Sequence, residues 1–397
     1  MAAARTVIVA GAGIGGLTAA LALAQRGFEV MLLEAAPRLE EIGAGLQLSP
    51  NAARVLVALG IERRLEPHVV SPEHLAVRSA RSGRLLAQAP LGASVARRYG
   101  APYWVIHRGD LQAALCEAVA ATPGIALKLG TRVEGFAARD HGVVVSASPG
   151  SQTLEAQGLA LVAADGLWSI LRQRLGHRAA PRAAGQTAWR ALVPAEAAPQ
   201  SFVAPAVNLW LGHDAHLVHY PVKAGSMINV VAIVDDDWRE PGWNTPGARR
   251  ELLERFAAEH WHQSARELLA ASERWQKWAL FDCAPLAAWG QGPVTLIGDA
   301  AHPMLPYLAQ GAAMAIEDAA VLAACLARNP DDASAALRRY EASRLPRTAR
   351  VQGDARHNGT VYHMRGGAAV LRSLALMAMG GDRLISRYDW LYGWTPE

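Results

Sequence analysis

The chain has 397 residues, of which 51% are hydrophobic and 19% are charged, and its net charge is +4. That length exceeds one ordinary hydrophobic core and favours two lobes with a crevice between them. The basic residues are scattered and almost all are arginine, so we expect no nucleic-acid partner. No apolar run reaches the roughly 20 residues of a membrane-spanning helix, so we also expect no membrane partner.

Three cysteines stand far apart, at positions 116, 283 and 325. Their odd number and apolar surroundings favour core packing in a reducing compartment over a disulfide framework. The start of the chain lacks the pattern of a signal peptide. Together these features predict a cytoplasmic protein.

The first 34 residues have the pattern strand, glycine turn, helix, strand. We predict strands at 6–10 and 28–33 around a helix at 17–26. The motif GAGIGG places glycines at the three positions that allow a tight turn, close approach of a pyrophosphate and close helix packing: Gly11, Gly13 and Gly16. Glu34 follows the second strand, where a carboxylate can bind a ribose hydroxyl. The pattern predicts a dinucleotide site, and the alternative is an ordinary glycine-rich turn.

Two further segments follow this unit. The glycines of residues 43–47 indicate a flexible hinge near a ligand. The sequence HRGDL predicts a new helix with Asp110 as its N-cap and with Arg108 free to reach a phosphate. The alternative for Arg108 is a surface ion pair.

Two carboxylates each follow a predicted buried strand. Asp165 comes after the strand at 159–163, and Asp299 comes after the strand at 294–297. The alternative for Asp165 is a simple turn residue. Gly311 then opens an alanine-rich helix predicted to run to about Arg328. A phosphate loop near residue 11 and a carboxylate near residue 299 imply one cofactor site assembled from both ends of the chain.

From residue 186 to residue 281 the pattern changes to alternating segments separated by turns. We predict successive antiparallel strands and a helix packed on them, at 207–211, 216–222, 227–234 and 247–258. This region reads as a second lobe inserted into the cofactor lobe. Helices over 333–385 close the chain.

The segment LGHDAHLVHYPV contains the spacing HxxHxxH. On an extended strand His216 and Tyr220 share one face, His219 points to the other, and His213 lies in the preceding turn, so we expect no metal site. We choose His216 as the proton acceptor for a substrate. The alternative is a histidine with a purely structural role.

The motifs GAGIGG, HRGDL, ADGLWSILR and GDAAHPMLPYLAQGAAMAIEDA together resemble the single-component (group A) FAD-dependent aromatic hydroxylases. The resemblance covers almost the whole chain. Within that family the sequence looks most like salicylate hydroxylase and 6-hydroxynicotinate 3-monooxygenase, with 3-hydroxybenzoate 6-hydroxylase more distant.

The resemblance implies an α/β fold with a Rossmann-like FAD-binding domain of the para-hydroxybenzoate hydroxylase type. It places that domain at residues 1–180 and 283–350. An inserted α+β substrate domain, built on an antiparallel sheet, is expected at 181–282, with a C-terminal helical segment at 351–397. A monomer or a homodimer is compatible with this organisation.

The resemblance also implies FAD as cofactor, with the glycine loop at the pyrophosphate and the start of the helix at Gly311 near the flavin N1 and O2 edge. The cofactor-binding residues expected on this basis are Gly11, Gly13, Gly16, Glu34, Arg38, Gln47, Arg108, Asp165, Asp299, Gly311 and Ala312. Asp165 belongs to a motif that such enzymes share between FAD and nicotinamide binding.

The implied reaction is hydroxylation of a small phenolic or hydroxy-heteroaromatic acid, either salicylate-like or 6-hydroxynicotinate-like. NADH or NADPH reduces FAD, and O2 forms the flavin C4a-hydroperoxide that transfers oxygen to the ring. The segment 43–47 is suited to movement of the flavin between reduction and hydroxylation. One rival hypothesis is a flavin oxidase or dehydrogenase without oxygen transfer to a ring. The other is a non-enzymatic, flavin-dependent redox sensor or scaffold.

His216 and Tyr220 are the expected catalytic residues, and the expected lining residues of the substrate site are Gln47, Tyr220, Pro306 and Tyr307. Pro306 stands where the hydroxybenzoate enzymes carry glutamine, and Tyr307 stands where the hydroxynicotinate enzymes tend to have histidine. The identity of the aromatic acid therefore stays open.

Two other side chains near these motifs carry expectations. Arg190 either pairs a substrate carboxylate or forms an ion pair between the lobes. His302 is expected to hold the flavin loop through a bond from its ring to the backbone.

Overall fold

A computed structural model describes residues 5–39, 44–140, 142–150, 153–242 and 244–396. Its strands are β1 (Thr6–Ala10), β2 (Glu29–Leu33), β3 (Gly45–Leu48), β4 (His74–Ser79), β5 (Leu85–Pro90), β6 (Trp104–His107), β7 (Ile125–Lys128), β8 (Thr131–Arg139), β9 (Gly142–Pro149), β10 (Leu154–Gly158), β11 (Ala160–Ala163), β12 (Arg182–Pro194), β13 (Ala206–Leu211), β14 (Ala215–Val222), β15 (Met227–Asp235), β16 (Thr245–Gly247), β17 (Trp275–Asp282) and β18 (Val294–Leu296).

The helices are concentrated at the two ends of the chain. They are α1 (Ile14–Gln25), α2 (Pro50–Ala58), α3 (Glu62–Leu65), α4 (Gly92–Tyr99), α5 (Arg108–Ala120), α6 (Ile170–Arg174), α7 (Arg249–Arg255), α8 (Gln263–Ala270), α9 (Gly311–Arg328), α10 (Ala333–Tyr362), α11 (Gly366–Ala378), α12 (Gly381–Ser386) and α13 (Asp389–Tyr392).

A parallel sheet with the order β18-β11-β1-β2-β7 forms the core of the first lobe. Its strands are short apolar runs, because both faces of a parallel sheet are covered. The register of β11 against β18 pairs Leu161 with Val294. The two ends of the chain therefore meet in one sheet, which confirms the predicted Rossmann-like fold.

A second sheet has the order β16-β17-β12-β15-β14-β13-β4-β5. Its strand pairs are antiparallel except for β13 with β4, so the expected antiparallel sheet is confirmed. Two of its strands, β4 and β5, come from residues 74–90, ahead of the predicted substrate segment 181–282. The exact division of the chain into domains stays a prediction.

The boundaries of several helices follow the sequence prediction, and others do not. Helix α9 spans Gly311–Arg328 as expected. The predicted cap at Asp110 is wrong, because α5 begins at Arg108 and Asp110 lies in its first turn, where it pairs with Lys223 at 2.9 Å. The helix predicted at 247–258 is shorter, since α7 spans only Arg249–Arg255.

Helices α9 and α10 pack against each other behind the parallel sheet. The guanidinium of Arg344, which is buried, joins them through bonds to Glu317 at 2.6 Å and Asp318 at 2.7 Å. Across the described ranges, no helix combines the length and apolar character needed to cross a membrane.

Candidate active site

The glycine loop before α1 is shaped by contacts within the backbone. A Cβ added at Gly16 would lie 1.8 Å from the carbonyl oxygen of Gly11, and one at Gly11 would lie 2.4 Å from that of Ala164. Gly11 also has φ +105°, which disfavours other residues. A Cβ at Gly13 meets no protein atom within 4 Å. Gly13 therefore borders open space at the start of α1, where N–H groups and the helix dipole favour an anion.

Glu34 lies at the end of β2, beside this loop. Its carboxylate accepts a hydrogen bond from the N–H of Ala12 at 2.6 Å and another from the N–H of Ala36 at 2.8 Å. The carboxylate is thus held against the glycine loop while each oxygen keeps further acceptor capacity. Arg38 is exposed at the edge of the same region.

Asp165 follows β11 and has one committed oxygen and one uncommitted oxygen. Oδ2 accepts from the N–H of Leu171 at 3.1 Å, whereas the buried Oδ1 has no hydrogen-bond partner within the described part of the chain. A buried acceptor without a donor is costly. This orphaned oxygen is therefore suited to a ligand hydroxyl.

Arg172, which the sequence analysis gave no role, joins the loops that carry the two carboxylates. Its guanidinium donates to the carbonyl oxygen of Leu167 at 2.6 Å and to that of Ala300 at 3.1 Å. The only sequence signal for this function was its place in the segment ADGLWSILR.

Asp299 is the second residue of a short 3-10 turn, Gly298–Ala300, that follows β18, and it is exposed. Desolvation by the surrounding protein raises the pKa of its carboxyl, against the opposing charges of His302, Arg108 and Arg172. Arg108 and Asp299 are near enough to interact electrostatically, which brings two predicted cofactor residues to one site.

The first two residues of helix α9, Gly311 and Ala312, are partly exposed. The N–H of Met314 donates to the carbonyl of Gln310 at 2.8 Å and is the first donor of this helical ladder. The N–H groups of Gly311 and Ala312 come before it and have no partner in the helix. Gln310 is fixed by Ser49 at 2.9 Å. The predicted anion-favouring helix start is therefore rigidly attached to α2.

His302 is structural, but the expected ring-to-backbone bond is wrong. Its Nε2 pairs with the carboxylate of Asp318 at 2.5 Å. That carboxylate also accepts from Arg344 at 2.7 Å. Burial opposes ionisation of Asp318, but His302 and Arg344 lower its pKa to about 2.

The three histidines of HxxHxxH lie in different environments. His213 is exposed and pairs with Asp214 at 3.0 Å. His219 faces the opposite side of β14 from His216 and accepts from Trp210 Nε1 at 3.1 Å. Burial, followed by the charge of Arg78, lowers the pKa of His219 to about 3. Within the described ranges, no three His, Cys, Asp or Glu side chains are grouped to hold a metal ion.

His216 is buried, and it is bonded to a residue of the C-terminal helices. Its Nδ1 lies 2.8 Å from His363 Nε2, and His363 Nδ1 lies 2.7 Å from Asp235 Oδ1. Burial, and then the neighbouring His363, lowers the pKa of His216 well below its ordinary value. The sequence analysis missed His363 and Asp235, because they lie 147 and 19 residues from His216 in the chain and match no motif.

Tyr220 lies on the same face of β14 as His216. Burial raises the pKa of its hydroxyl, against opposing effects of Arg190 and of a hydrogen bond with Gln47. Gln47 Oε1 also accepts from the hydroxyl of Tyr103 at 2.6 Å. Tyr220 is therefore a neutral hydroxyl at ordinary pH, held by a side chain of β3.

Gly45 packs directly under this tyrosine. A Cβ there would lie 2.5 Å from Tyr220 Cε2 and 2.8 Å from Asn229 Cγ, and the N–H of Gly45 donates to Asn229 Oδ1 at 2.7 Å. At this position glycine permits close packing in a strand, which differs from the flexibility we predicted. Gly43, the other glycine of the predicted hinge, lies outside the described residues.

Arg190 lies on β12, with its guanidinium 4.0 Å from the ring centroid of Trp278. It has no acidic partner in the part of the chain that the structure describes, and its Nε has no hydrogen-bond partner there. Burial lowers the pKa of Arg190 to about 9, with opposing effects from Tyr220 and Arg108. The expected alternative of an ion pair between the lobes is therefore not found among these residues.

The loop before α9 brings Pro306 and Tyr307 near the histidine cluster. They form a 3-10 turn at Pro306–Leu308. The ring of Tyr307 lies 5.3 Å from that of His216, and its hydroxyl donates to Gln186 Oε1. This hydroxyl is committed to the protein, and the predicted contact of Tyr307 with a substrate stays a prediction.

Comparison with known proteins gives the family. Residues 4–355 match the family described as FAD binding domain. The chain is 38% identical over 389 residues to 3-hydroxybenzoate 6-hydroxylase of Polaromonas naphthalenivorans, covering 98% of this chain and 96% of the relative. It is 36% identical over 353 residues to 6-hydroxynicotinate 3-monooxygenase of Pseudomonas fluorescens, covering 87% and 89%.

A solved structure points the same way. The substrate complex of salicylate hydroxylase superposes with a TM-score of 0.82 at 29% identity, covering 98% of this chain and 96% of that chain. The chain therefore belongs to the FAD-binding family that contains the aromatic-ring hydroxylases. It is an FAD-dependent aromatic monooxygenase, and its homologues do not favour the oxidase or dehydrogenase alternative.

Similarity within the family runs in a different order from our expectation. The hydroxybenzoate enzyme matches more of the chain, at higher identity, than the hydroxynicotinate enzyme does. The residues present fit FAD on three observations: the open space at Gly13, the unpartnered Oδ1 of Asp165 and the free first turn of α9.

Proposed function

We propose that the enzyme hydroxylates a small phenolic or hydroxy-heteroaromatic acid and that His216 accepts the proton of the ring hydroxyl. The supporting observation is the chemistry of one face of the second sheet. His216 stands at one end of β14, neutral because of burial. Tyr220 stands towards the other end of the strand, and Arg190 lies two strands away on the same face, in the row of Val218; both are hydrogen-bond donors. Such a face matches a ring with a hydroxyl on one side and a carboxylate on the other.

The spacing suits a small molecule. His216 and Tyr220 are four residues apart on an extended strand, which is about 13 Å between their Cα atoms. Their side chains share one face of the strand with Val218, a partly buried apolar residue between them. Arg190, lacking an acidic protein partner among the described residues, would offer its charge to the carboxylate. The neutral Tyr220 hydroxyl would add a second donor.

The cofactor would lie between this face and the first lobe. Gly11, Gly13 and Gly16 would hold the pyrophosphate, Glu34 and Arg38 the adenosine end, and Arg108 and Asp299 the ribityl side. The N–H groups of Gly311 and Ala312 would stabilise negative charge on the reduced flavin edge. When bound, FAD supplies the reducing equivalents and the activation of O2 for ring hydroxylation.

NADH or NADPH is the reductant we propose, with Asp165 serving both FAD and the nicotinamide cofactor. Gln47, Pro306 and Tyr307 would line the ring together with Tyr220. The buried surroundings of His216 would keep water from the reacting centre and so limit wasteful release of hydrogen peroxide.

The test is a screen of aromatic acids for stimulated NADH and NADPH consumption, with hydrogen peroxide measured in parallel. Hydroxybenzoates and hydroxynicotinates are compared with the same acids lacking the hydroxyl. We expect at least one hydroxylated acid to stimulate flavin reduction and give a hydroxylated product. If none stimulates NAD(P)H consumption, the proposed substrate class is wrong.

The role of His216 is tested separately by His216→Ala. We expect hydroxylation to fall about 100-fold or more, because a positioned general base contributes that much. FAD content is expected to be unchanged. His213→Ala is the matched control, since it removes the exposed histidine of the same segment. Normal coupled turnover by His216→Ala would exclude it as the base.

A further inference from the structure

His216 is the first member of a chain of three side chains. The chain runs from His216 on β14 to His363 at the C-terminus of α10 and on to Asp235 at the end of β15. The two contacts are 2.8 Å and 2.7 Å long. Three separate elements thus converge on one line of hydrogen bonds that leads away from the substrate face.

The acceptor at the end of this line fixes the protons along it. An ionised carboxylate only accepts, so His363 Nδ1 must carry the hydrogen that bonds to Asp235. His363 Nε2 then has a lone pair and accepts from His216 Nδ1–H. This arrangement leaves the lone pair of His216 on Nε2, the ring nitrogen that can meet a ligand hydroxyl.

A positive charge is unfavourable on His216 and more favourable on His363. The ring of His216 is buried between Tyr307 and Tyr362, with ring centroids 5.3 Å from each. His363 instead contacts a carboxylate. Burial opposes the ionisation of Asp235, but bonds from His363 and Gln186 and the charge of Arg365 lower its pKa below the ordinary value. The carboxylate is therefore ionised and able to stabilise an imidazolium.

We propose that His363 and Asp235 form a proton relay that takes the substrate proton from His216 to solvent. This inference rests on the proposed function. The O–H bond of the phenol breaks as an N–H bond forms at His216 Nε2. The Nδ1–H bond of His216 breaks as an N–H bond forms at His363 Nε2. The products are a bound phenolate and a His363 imidazolium beside the Asp235 carboxylate.

In the last step the Nδ1–H bond of the His363 imidazolium breaks and the proton passes by way of the Asp235 carboxylate to water, which leaves His363 neutral. The side chain of Asp235 is 35% exposed, whereas that of His363 is 6% exposed. The path from His363 to solvent therefore passes Asp235. His363 and Asp235 are positioning residues in this scheme, since neither touches the substrate.

Charged groups from several elements face the relay. Arg255 of α7 donates to the backbone oxygen of Asp235 at 3.4 Å and pairs with Asp236 at 3.6 Å, and Arg372 of α11 donates to the backbone oxygen of Tyr362 at 2.8 Å. Tyr307 and Tyr362 flank His216, and Arg365 lies 3.6 Å from Asp235 Oδ2 and also pairs with Asp214, which in turn contacts His213. Burial raises the pKa of both tyrosines, so they stay neutral through the working range. A change of pH profile in a relay variant is thus attributable to the histidines and Asp235.

The first measurement is proton release when a phenolic acid binds to the oxidised holoenzyme, followed by stopped-flow with a pH indicator and by phenolate absorbance. The variants are Asp235→Asn and His363→Gln. Matched controls are Asp237→Asn, whose side chain is fully exposed, and His357→Gln, exposed on α10. We expect phenolate formation to slow about 10-fold or more in the relay variants. We also expect the pH profile of kcat to shift to higher pH.

FAD content and KM are expected to change little, because neither residue contacts the cofactor or the substrate. Asp235→Glu should restore part of the rate, since it returns a carboxylate. Normal phenolate formation and a normal pH profile in both relay variants would overturn the relay and leave His216 passing its proton directly to water.

A second measurement separates this inference from the substrate class. Nitrogen-15 NMR of the histidine rings, without substrate, reports which ring nitrogen carries hydrogen, and the His216 signals are assigned by His216→Asn. The relay predicts hydrogen on Nδ1 and none on Nε2, and a changed His363 pattern in Asp235→Asn. Hydrogen on Nε2 of wild-type His216 would overturn it. If the NMR shows the predicted hydrogen positions but no phenolic acid ionises on binding, the relay is supported and the proposed substrate class is wrong.

Discussion

The cofactor half and the substrate half of the cleft are built differently. The cofactor half is made of loops in which the backbone approaches itself closely, as at Gly11 and Gly16. The substrate half is made of side chains from β3, β12, β14, β15 and α10, joined by hydrogen bonds over long sequence separations. In the cofactor half, backbone geometry restricts which residue types can occupy a position. In the substrate half, the hydrogen-bond network depends on which side chains the fold brings into contact.

The difference has a physical consequence for the two kinds of ligand. A phosphate is recognised by N–H groups and helix dipoles, which every sequence with the right turns supplies. An aromatic acid is recognised by placed donors and acceptors, and those are specific to each enzyme. Substitutions in the cofactor half should therefore act through the fold and FAD, and substitutions in the substrate half through turnover.

The sharpest separation is expected between two glycines of one loop. In Gly16→Ala the new Cβ would lie 1.8 Å from a backbone oxygen, so we expect a loss of stability of about 3 kcal/mol or more and protein purified without flavin. Gly13→Ala meets no protein atom, so the apoprotein should melt normally while FAD binds about 10-fold or more weakly. Melting curves with and without FAD, and flavin absorbance, measure both. Equal apoprotein stability of the two variants would contradict the comparison.

The ion cluster behind the cofactor half offers the next largest effect. Arg344→Met leaves Glu317 and Asp318 buried with less compensation, so we expect unfolding free energy to fall by about 3–5 kcal/mol. Urea denaturation measures it. Arg339→Met, at an exposed position of the same helix, is the control and should change stability by less than about 0.5 kcal/mol.

In the substrate half, Gly45→Ala is expected to be milder. Its Cβ would press on Tyr220 and Asn229 side chains, which can shift, so we expect a loss of about 1–3 kcal/mol. Because Tyr220 moves, KM for the aromatic acid should rise while FAD content stays normal. Gly353→Ala, with no atom near its Cβ, is the control. Loss of FAD with unchanged KM would assign Gly45 to the cofactor half.

The smallest expected effect is on stability at acidic pH, where Asp318 becomes protonated. Asp318 has a pKa of about 2 in the folded protein against 3.8 for the free group. A lowered pKa gives stability that is fully present above about 4 and is lost as the pH falls towards 2. Between pH 5 and pH 3 the free energy of unfolding of the wild type should fall by about 1–2 kcal/mol more than that of Asp318→Asn. Urea denaturation at the two pH values measures both. An identical pH slope in both proteins would show that the carboxylate is not held ionised.

The cofactor half was largely predictable from local sequence. The strand–turn–helix around Gly11 to Gly16, the carboxylates after β11 and β18, and the start of α9 at Gly311 all follow from residues a few positions apart. The errors there were partners, as with Asp110, which pairs with Lys223 instead of capping α5. The ion pair of Asp110 with Lys223, which is distant in sequence, could not be predicted from the residues around Asp110.

The substrate half was predictable only where one strand sufficed. Alternation along β14 correctly separated His216 and Tyr220 from His219. Nothing near His363 indicates that it meets His216, because it is the last turn of α10 that brings it there. Gly45 illustrates the same limit, since its close contact with Asn229 joins residues 184 positions apart.

Local sequence patterns were enough to predict the cofactor class, the parallel sheet and the family, because glycine turns, apolar runs and carboxylates at strand ends follow from backbone sterics and burial. The contacts of His216 with His363, and of His363 with Asp235, became visible only in the folded structure. Those contacts depend on where strands and helices from distant parts of the chain come together, and no local pattern carries that information.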